Sequence, residues 1–252
     1  MNLRSTIAIS FILVLTSLTI STNSLAESII LKAKDGFSLS ANYLKPKSSS
    51  KRGVLMLHQC NADKSMYSDL ATQAAAKGFH TLALDFRGYG QSVDEIFSMD
   101  KMEAKAGNRD ELVAMVRKMR ADHWPSDVAL AYQYLADRVG SKNIAFIGAS
   151  CGGGQAIILA EKKKPTSLTL FSSGMGERGI ERFVKLSDIP TLLIAAQGDE
   201  FTFNSAKKAF EKAKSLKSKI QLYKGDGHGL PLFNQDPHLA GTMVDWFQTH
   251  AK

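Results

Sequence analysis

Ser150 lies in the pentapeptide Gly148-Ala149-Ser150-Cys151-Gly152, which matches the pattern G-x-S-x-G. The apolar segment NIAFIGA (143–149) leads into it, and a segment with a helical pattern follows. A sharp turn from a buried strand into a helix holds a serine hydroxyl above a sheet as a nucleophile. Glycines suit such a turn, because a Cβ atom there would collide with neighbouring backbone. Cys151 falls in the first turn of the helix, so Ser150 is the predicted nucleophile.

Two further residues are of the types that would activate Ser150. Asp199 follows the apolar segment LLIAA, and His228 lies in the glycine-rich segment GDGHG after the next predicted strand. A serine hydroxyl needs a base to take its proton, and that base needs an acid to orient it. The order Ser, Asp, His, with each residue at the carboxyl end of a strand, predicts a catalytic triad of Ser150, Asp199 and His228. Glu200 and Asp226 are alternative acids.

The segments around these residues alternate between strand and helix patterns. Continuous apolar runs, typical of strands buried on both faces, predict strands at 53–58, 80–86, 143–149, 167–173 and 190–196, with a last strand at 219–224. Helical patterns occur at about 65–77, 126–139, 152–163, 203–217 and 236–250. Residues 28–44 predict a hairpin around Asp35-Gly36, and residues 93–121 predict a partly helical surface connection. This alternation predicts one α/β domain, with a mainly parallel central sheet and helices on both faces.

The N-terminal segment has the features of a secretory signal peptide. Arg4 provides the positive charge, residues 7–20 are mostly apolar, and Ser24-Leu25-Ala26 ends the segment in small residues. Cleavage after Ala26 would leave a mature domain of residues 27–252, periplasmic or secreted. The apolar stretch is too short to cross the ~30 Å hydrocarbon core of a bilayer. No later segment is long and apolar enough to span a membrane, so no stable membrane span is expected in the mature chain.

Charge and motif spacing argue against several other classes of protein. The net charge is +8, but the lysines of 161–165 and 207–219 suit solvated helix faces, so no nucleic-acid partner is expected. No G-x-G-x-x-G or P-loop pattern marks a nucleotide site. The six histidines lack the HExxH spacing of a metal site. Neither a metal nor an organic cofactor is expected.

The sequence resembles the α/β-hydrolase superfamily, in particular its dienelactone-hydrolase-like and esterase-like members. Besides the serine pentapeptide, the segments LMLHQCNADKSMY, LDFRGYGQS and GDGHG carry the resemblance, which covers the whole mature chain. It implies a small-molecule ester or lactone substrate. It also implies that the backbone N–H groups of Cys60 and Cys151 form the oxyanion hole. The segment between Ser173 and Pro190 is too short for a large helical cap domain, so an open site is expected.

Two departures from the family pattern concern this site. The usual His-Gly of the oxyanion loop is His58-Gln59 here, so the loop backbone or the Gln59 side chain has an altered role. Dienelactone hydrolases use a cysteine nucleophile, whereas this chain has Ser150 in that place. Apolar side chains that would line the site, or equally belong to the core, are Tyr67, Tyr89, Phe201, Leu230 and Phe233.

The only two cysteines predict a disulfide if the resemblance holds. Two N–H groups that reach about 3 Å to one oxyanion would place the Cα atoms of Cys60 and Cys151 about 5–7 Å apart, within the range of a disulfide. Export to an oxidising compartment would favour the bond. Two separate buried thiols are the alternative. Two other functions also stay open: a non-catalytic binding protein on this fold, and a thiol-redox protein that uses Cys151.

Overall fold

The computed structural model describes residues 26–213, 215 and 217–251. The predicted signal peptide therefore lies outside the described residues, apart from Ala26. The described strands are β1 (Glu27–Lys32), β2 (Ser38–Leu44), β3 (Arg52–Leu57), β4 (Phe79–Leu84), β5 (Ile144–Ala149), β6 (Leu168–Phe171), β7 (Thr191–Ala196) and β8 (Lys219–Tyr223). They form one sheet in the order β1-β2-β4-β3-β5-β6-β7-β8.

Most of the sheet is parallel. The hairpin strands β1 and β2 pair antiparallel, and β2 continues antiparallel onto β4. All pairings from β4 to β8 across the sheet are parallel. The predicted hairpin and the predicted mainly parallel sheet are both confirmed.

Helices cover both faces of the sheet. They are α1 (Ser68–Ala76), α2 (Met99–Lys105), α3 (Arg109–Asp122), α4 (Trp124–Val139), α5 (Cys151–Ala160), α6 (Glu177–Lys185), α7 (Glu200–Lys212), α8 (Pro231–Gln235) and α9 (Leu239–His250). A short 3-10 helix at Lys64–Tyr67 precedes α1. No helix in the described part of the chain is both long enough and apolar enough to span a membrane.

The continuous apolar strands are explained by the two cores between which they lie. Leu55 and Leu57 of β3 pack into the core under α2–α7, whereas Val54 and Met56 pack on the opposite face under α1 and α9. Because successive side chains of a strand point to opposite faces, a strand buried on both sides must be apolar at every position. The predicted α/β architecture with helices on both faces of the sheet is confirmed.

Several helices begin or end away from the predicted positions. The predicted helix 203–217 is α7 at Glu200–Lys212, and the predicted helix 236–250 is α9 at Leu239–His250. The segment after β6 holds one nine-residue helix, α6. This helix was not predicted, although Ile180, Phe183 and Val184 have the i, i+3, i+4 spacing of an amphipathic helix. A single helix of this length agrees with the expected lack of a large cap.

Candidate active site

The turn between β5 and α5 holds Ser150 in an uncommon backbone conformation. Its φ is 49° and its ψ is −117°, a region that costs a non-glycine residue free energy. The Ser150 N–H donates to the Phe171 carbonyl at the end of β6 (2.9 Å), which fixes the turn on the sheet. A Cβ on Gly148 would collide with the backbone of Gly152, and one on Gly152 would collide with the carbonyl of Leu57. The two glycines of G-x-S-x-G are thus required by close backbone packing.

His228 is paired with Asp199. The Nδ1 atom of His228 lies 2.6 Å from Oδ2 of Asp199, at the carboxyl end of β7. Thr202, which is buried in the first turn of α7, donates its hydroxyl hydrogen to the same Asp199 oxygen. Of the alternative acids, Glu200 is exposed and the exposed Asp226 lies against Gly198. The structure therefore brings Asp199 to the histidine.

Ser150 and His228 lie on neighbouring segments at this edge of the sheet. Phe171 accepts the Ser150 N–H, and the next residue, Ser172, accepts the N–H of Gly229 through its hydroxyl oxygen (2.9 Å). Within the described chain, no hydrogen bond joins the Ser150 hydroxyl to His228, and the hydroxyl does not cap α5.

A disulfide joins Cys60 and Cys151, with their Cα atoms 5.9 Å apart. Cys60 lies in the loop after β3, which is the predicted oxyanion loop, and Cys151 begins α5. Neither backbone N–H has an acceptor among the residues that the structure describes. The disulfide therefore links two segments that each present a free backbone donor beside Ser150, and the helix terminus adds a favourable potential for an anion.

The ring of His58 shapes the oxyanion loop (residues 58–63). His58 is fully buried, its Nδ1 lies 2.7 Å from the Gln59 carbonyl, and its Nε2 lies 3.0 Å from the N–H of Phe86. A carbonyl can only accept and an N–H can only donate, so these contacts fit the neutral ring with its proton on Nδ1. Burial lowers the pKa of His58, which favours the same neutral form. Since a trans peptide directs its N–H opposite to its C=O, a fixed Gln59 carbonyl also fixes the Cys60 N–H.

The far end of the oxyanion loop is tied to the same region of the fold. Asp85, which follows β4 and is fully buried, accepts the backbone N–H of Lys64 (2.7 Å) and the N–H of Gln91 (2.8 Å). The ammonium group of Lys64 pairs at 2.5 Å with Oδ2 of Asp85, the same oxygen that accepts the Gln91 N–H, whereas the Lys64 N–H donates to Oδ1. The segment LDFRGYGQS therefore has a supporting role, because it holds the oxyanion loop at both ends.

The proposed apolar lining divides into core and surface residues. Tyr67 is fully buried and donates its hydroxyl hydrogen to the Leu57 carbonyl, and Tyr89 is buried with its hydroxyl on Arg120. The Phe233 ring packs edge-on against Phe171. By contrast, Phe201 is 63% exposed and Leu230 is 38% exposed. These last two side chains, each two residues beyond a member of the Asp199–His228 pair, expose apolar surface.

Sequence reasoning missed three supporting residues: Thr202, Ser172 and the structural role of His58. Thr202 stands three residues after Asp199 in a helical first turn, so its spacing was a usable signal. The bond between Ser172 and Gly229 joins residues 57 positions apart and leaves no trace in local sequence. As for metals, nowhere in the described ranges do three His, Cys, Asp or Glu side chains gather as a ligand set.

Comparison with known proteins identifies the family of the chain. The family model described as serine aminopeptidase, S33 (Hydrolase_4) matches residues 48–186, more than half of the 252-residue chain. No curated protein sequence matches the chain.

Solved structures show the same fold at low sequence identity. A cold-adapted esterase from an Arctic intertidal metagenomic library has a TM-score of 0.68 and 20% identity, over 90% of this chain and 94% of that one. A dienelactone hydrolase from Anabaena variabilis has a TM-score of 0.65 and 17% identity, over 91% and 100%. An esterase from Pyrococcus furiosus has a TM-score of 0.63 and 15% identity, over 90% and 92%. The mainly parallel sheet and Ser150 at the turn after β5 agree with the match to the family model. The chain belongs to the serine aminopeptidase S33 family of serine hydrolases with the α/β-hydrolase fold.

Proposed function

We propose that this protein hydrolyses carboxylic esters or lactones through a covalent acyl-enzyme on Ser150, with His228 and Asp199 as base and orienting acid. The proposal rests on the His228–Asp199 pair. The pair lies at the carboxyl ends of the strands, where the turn between β5 and α5 holds Ser150 in a strained backbone conformation. A free serine hydroxyl is a weak nucleophile, and this pair is what would activate it.

In the first half-reaction, Ser150 Oγ attacks the substrate carbonyl carbon while Nε2 of His228 takes the hydroxyl proton. The carboxylate of Asp199 accepts the Nδ1–H, which keeps the free Nε2 directed away from it and stabilises the imidazolium. Collapse of the tetrahedral intermediate breaks the ester C–O bond, and His228 gives its proton to the departing alkoxide. In the second half-reaction, a water gives its proton to His228 and attacks the acyl carbonyl carbon. Collapse of this second tetrahedral intermediate breaks the acyl–Oγ bond, His228 returns its proton to Ser150 Oγ, and the acid product leaves.

The tetrahedral intermediate carries a negative oxygen that needs hydrogen-bond donors. The free N–H groups of Cys60 and Cys151 are the two donors in this proposal, and the disulfide keeps their segments together. A donor of this kind contributes about 3 kcal/mol to transition-state binding. No metal ion or organic cofactor has a part in these steps.

The substrate class is proposed from the site surface and from similar structures. The exposed Phe201 and Leu230 suit an apolar acyl or alcohol group. Among the solved structures of the same fold are an esterase and a dienelactone hydrolase. The family description names an aminopeptidase, so aminoacyl amides are the competing substrates.

The decisive experiment compares wild type with Ser150→Ala on p-nitrophenyl esters of increasing acyl length, on lactones and on aminoacyl p-nitroanilides. We expect the wild type to hydrolyse esters and to react with a fluorophosphonate probe, and Ser150→Ala to do neither while keeping its melting temperature. Turnover of the anilides alone would replace the ester proposal by an aminopeptidase. A wild type that binds esters without turnover or labelling would indicate a binding protein. Labelling that persists in Ser150→Ala would remove Ser150 as the nucleophile, and thiol–disulfide exchange without hydrolysis would indicate a redox protein.

We also propose that the chain is exported after cleavage behind Ala26, and so acts in the periplasm or outside the cell. The support is the sequence of the first 26 residues, with its charge at Arg4 and small residues at 24–26. N-terminal sequencing of protein from the periplasm or medium should begin at Glu27. An intact Met1 on membrane-bound protein would contradict export by this route.

A further inference from the structure

Gln59 occupies the loop position where the family pattern has glycine, and its side chain has specific contacts. It is 3% exposed. Its Oε1 accepts the backbone N–H of Leu230 (2.8 Å), and its Nε2 donates to Oδ1 of Asn61 (2.6 Å). The side chain therefore reaches from the oxyanion loop to the histidine loop (residues 225–230).

The histidine loop depends on side-chain anchors, because it contains three glycines with positive φ. These are Gly225, Gly227 and Gly229, and each gives the unfolded and locally open chain more freedom than another residue would. Just after His228, two successive N–H groups are held by buried side-chain oxygens, that of Gly229 by Ser172 and that of Leu230 by Gln59. These two bonds fix the backbone directly beside the catalytic ring.

The contact between Gln59 and the histidine loop is also close in shape. A Cβ atom on Gly229 would collide with the Gln59 side-chain oxygen. Gly229 is buried and has φ +68°. Gly229 and Gln59 are therefore complementary. The missing side chain of Gly229 leaves a space, and the side-chain oxygen of Gln59, a hydrogen-bond acceptor, occupies it.

The backbone that carries Gln59 is held firmly on both sides. The Gln59 carbonyl lies 2.7 Å from His58 Nδ1 and accepts the N–H of Ala62 at 3.1 Å. The next residue, Cys60, is bonded through its sulfur to Cys151, which follows Ser150. Because this segment is constrained, the Oε1 atom of Gln59 is held in a fixed place. The hydrogen bond from the Leu230 N–H to that atom therefore fixes the histidine loop relative to the oxyanion loop.

We propose that Gln59 is a positioning residue: it holds the His228 loop through the Leu230 N–H and, through the Cys60–Cys151 disulfide, keeps the base in register with the nucleophile Ser150. This inference rests on the proposed function. In this proposal, the glutamine that replaces the usual glycine at position 59 positions His228 and does not act as a donor in the oxyanion hole. Misplacing the base by about 1 Å is enough to lower a catalytic rate by about 100-fold.

The test compares two variants of nearly equal length. Gln59→Met removes the acceptor for Leu230, and Gln59→Glu retains an oxygen that can accept the same N–H. For Gln59→Met we expect kcat on a p-nitrophenyl ester to fall by about 10- to 100-fold with KM changed by less than about twofold. Gln59→Glu should recover most of kcat. The matched control is Gln133→Met, the same substitution at an exposed position on α4.

A second measurement tests the hydrogen bond between Leu230 and Gln59 directly. In ¹⁵N-labelled protein, hydrogen exchange of the Leu230 amide should be faster in Gln59→Met than in wild type, and close to wild type in Gln59→Glu. A kcat for Gln59→Met within about twofold of wild type, or a loss confined to KM or melting temperature, would overturn the positioning role. An inactive wild type would overturn the proposed function, whereas unchanged Leu230 exchange in Gln59→Met would overturn the anchor itself.

Discussion

Oδ2 of Asp199 lies 2.6 Å from Nδ1 of His228 and also accepts the hydroxyl hydrogen of Thr202. Two donors on one carboxylate oxygen restrict how the Asp199 side chain can rotate. The acid also stands immediately before α7, where the N–H of Phe203 donates to the Asp199 carbonyl at 2.9 Å. The helix terminus and the Thr202 hydroxyl thus both hold Asp199 where it contacts the His228 ring.

Asp199→Asn should lower kcat by about 10⁴-fold, with little change in melting temperature. The asparagine amide can donate to Nδ1 and so favour the tautomer in which Nε2 carries the proton and cannot act as a base; this is the known effect of the same change in a serine protease triad. Stopped-flow or steady-state hydrolysis of a p-nitrophenyl ester measures it. Full activity in Asp199→Asn, with loss in Asp226→Asn or Glu200→Gln instead, would reassign the acid.

Thr202→Val should lower kcat by a smaller factor, about 3- to 30-fold. Valine has nearly the same shape as threonine, so the change removes one hydrogen bond to a carboxylate without opening a cavity, and such bonds contribute about 1.5–3 kcal/mol; only part of that reaches the transition state. Thr202→Ser keeps the hydroxyl and should stay close to wild type. Equal activities in the valine and serine variants would show that Thr202 does not orient Asp199.

The residues that a strand presents at its end could be predicted, whereas contacts between distant loops could not. Ser150 and Asp199 follow strands whose every side chain is buried, and this gave their positions in the sheet from the apolar pattern alone. The bond from Leu230 to Gln59 spans 171 residues and joins two irregular segments. A bond of this kind leaves no periodic pattern in the sequence. The sequence shows only that Gln59 stands where the family pattern has glycine. The disulfide could be predicted only through the family resemblance, which places the chain's two cysteines on either side of the expected oxyanion hole.

Removing the disulfide should destabilise the fold and weaken catalysis together. The bond closes a segment with a sequence separation of 91 residues, and disulfides of this kind typically contribute about 2–4 kcal/mol. The double variant Cys60→Ser/Cys151→Ser should lose about that free energy of unfolding in urea, and kcat should fall because the Cys60 N–H is less firmly held.

Intact-mass measurement of denatured, alkylated wild type without reductant should show no added label and a mass two hydrogens lower. Two alkylated thiols in exported protein would contradict the bond.

Stability should decrease as the pH falls below about 6.5, with His58 as one cause. Burial is the largest influence and lowers the pKa of His58, while Asp63 and Asp85 favour the charged ring and Lys64 opposes it. In this window the unfolded chain binds a proton at this position and the folded chain does not. The free energy of unfolding therefore drops with decreasing pH, by at most about 1.4 kcal/mol per pH unit from one group. Urea unfolding of His58→Gln between pH 5 and 7.5 should give a flatter dependence than wild type. His238→Gln, at an exposed position, is the control, and identical slopes for wild type and His58→Gln would refute the assignment.

Phe201 should contribute to the preference for apolar substrates. Its ring is 63% exposed, lies against Gly174 and stands two residues beyond Asp199, so an acyl or alcohol chain bound beside Ser150 can cover it. Each buried CH₂ group contributes about 0.8 kcal/mol. Phe201→Ala should therefore lower kcat/KM for octanoyl esters by at least about tenfold, and for acetyl esters by less than about threefold. Phe210→Ala is a matched control, since Phe210 is 37% exposed near the far end of the same helix. A loss of equal size for short and long acyl chains, or the same loss in Phe210→Ala, would mean that the Phe201 ring does not contact the substrate chain.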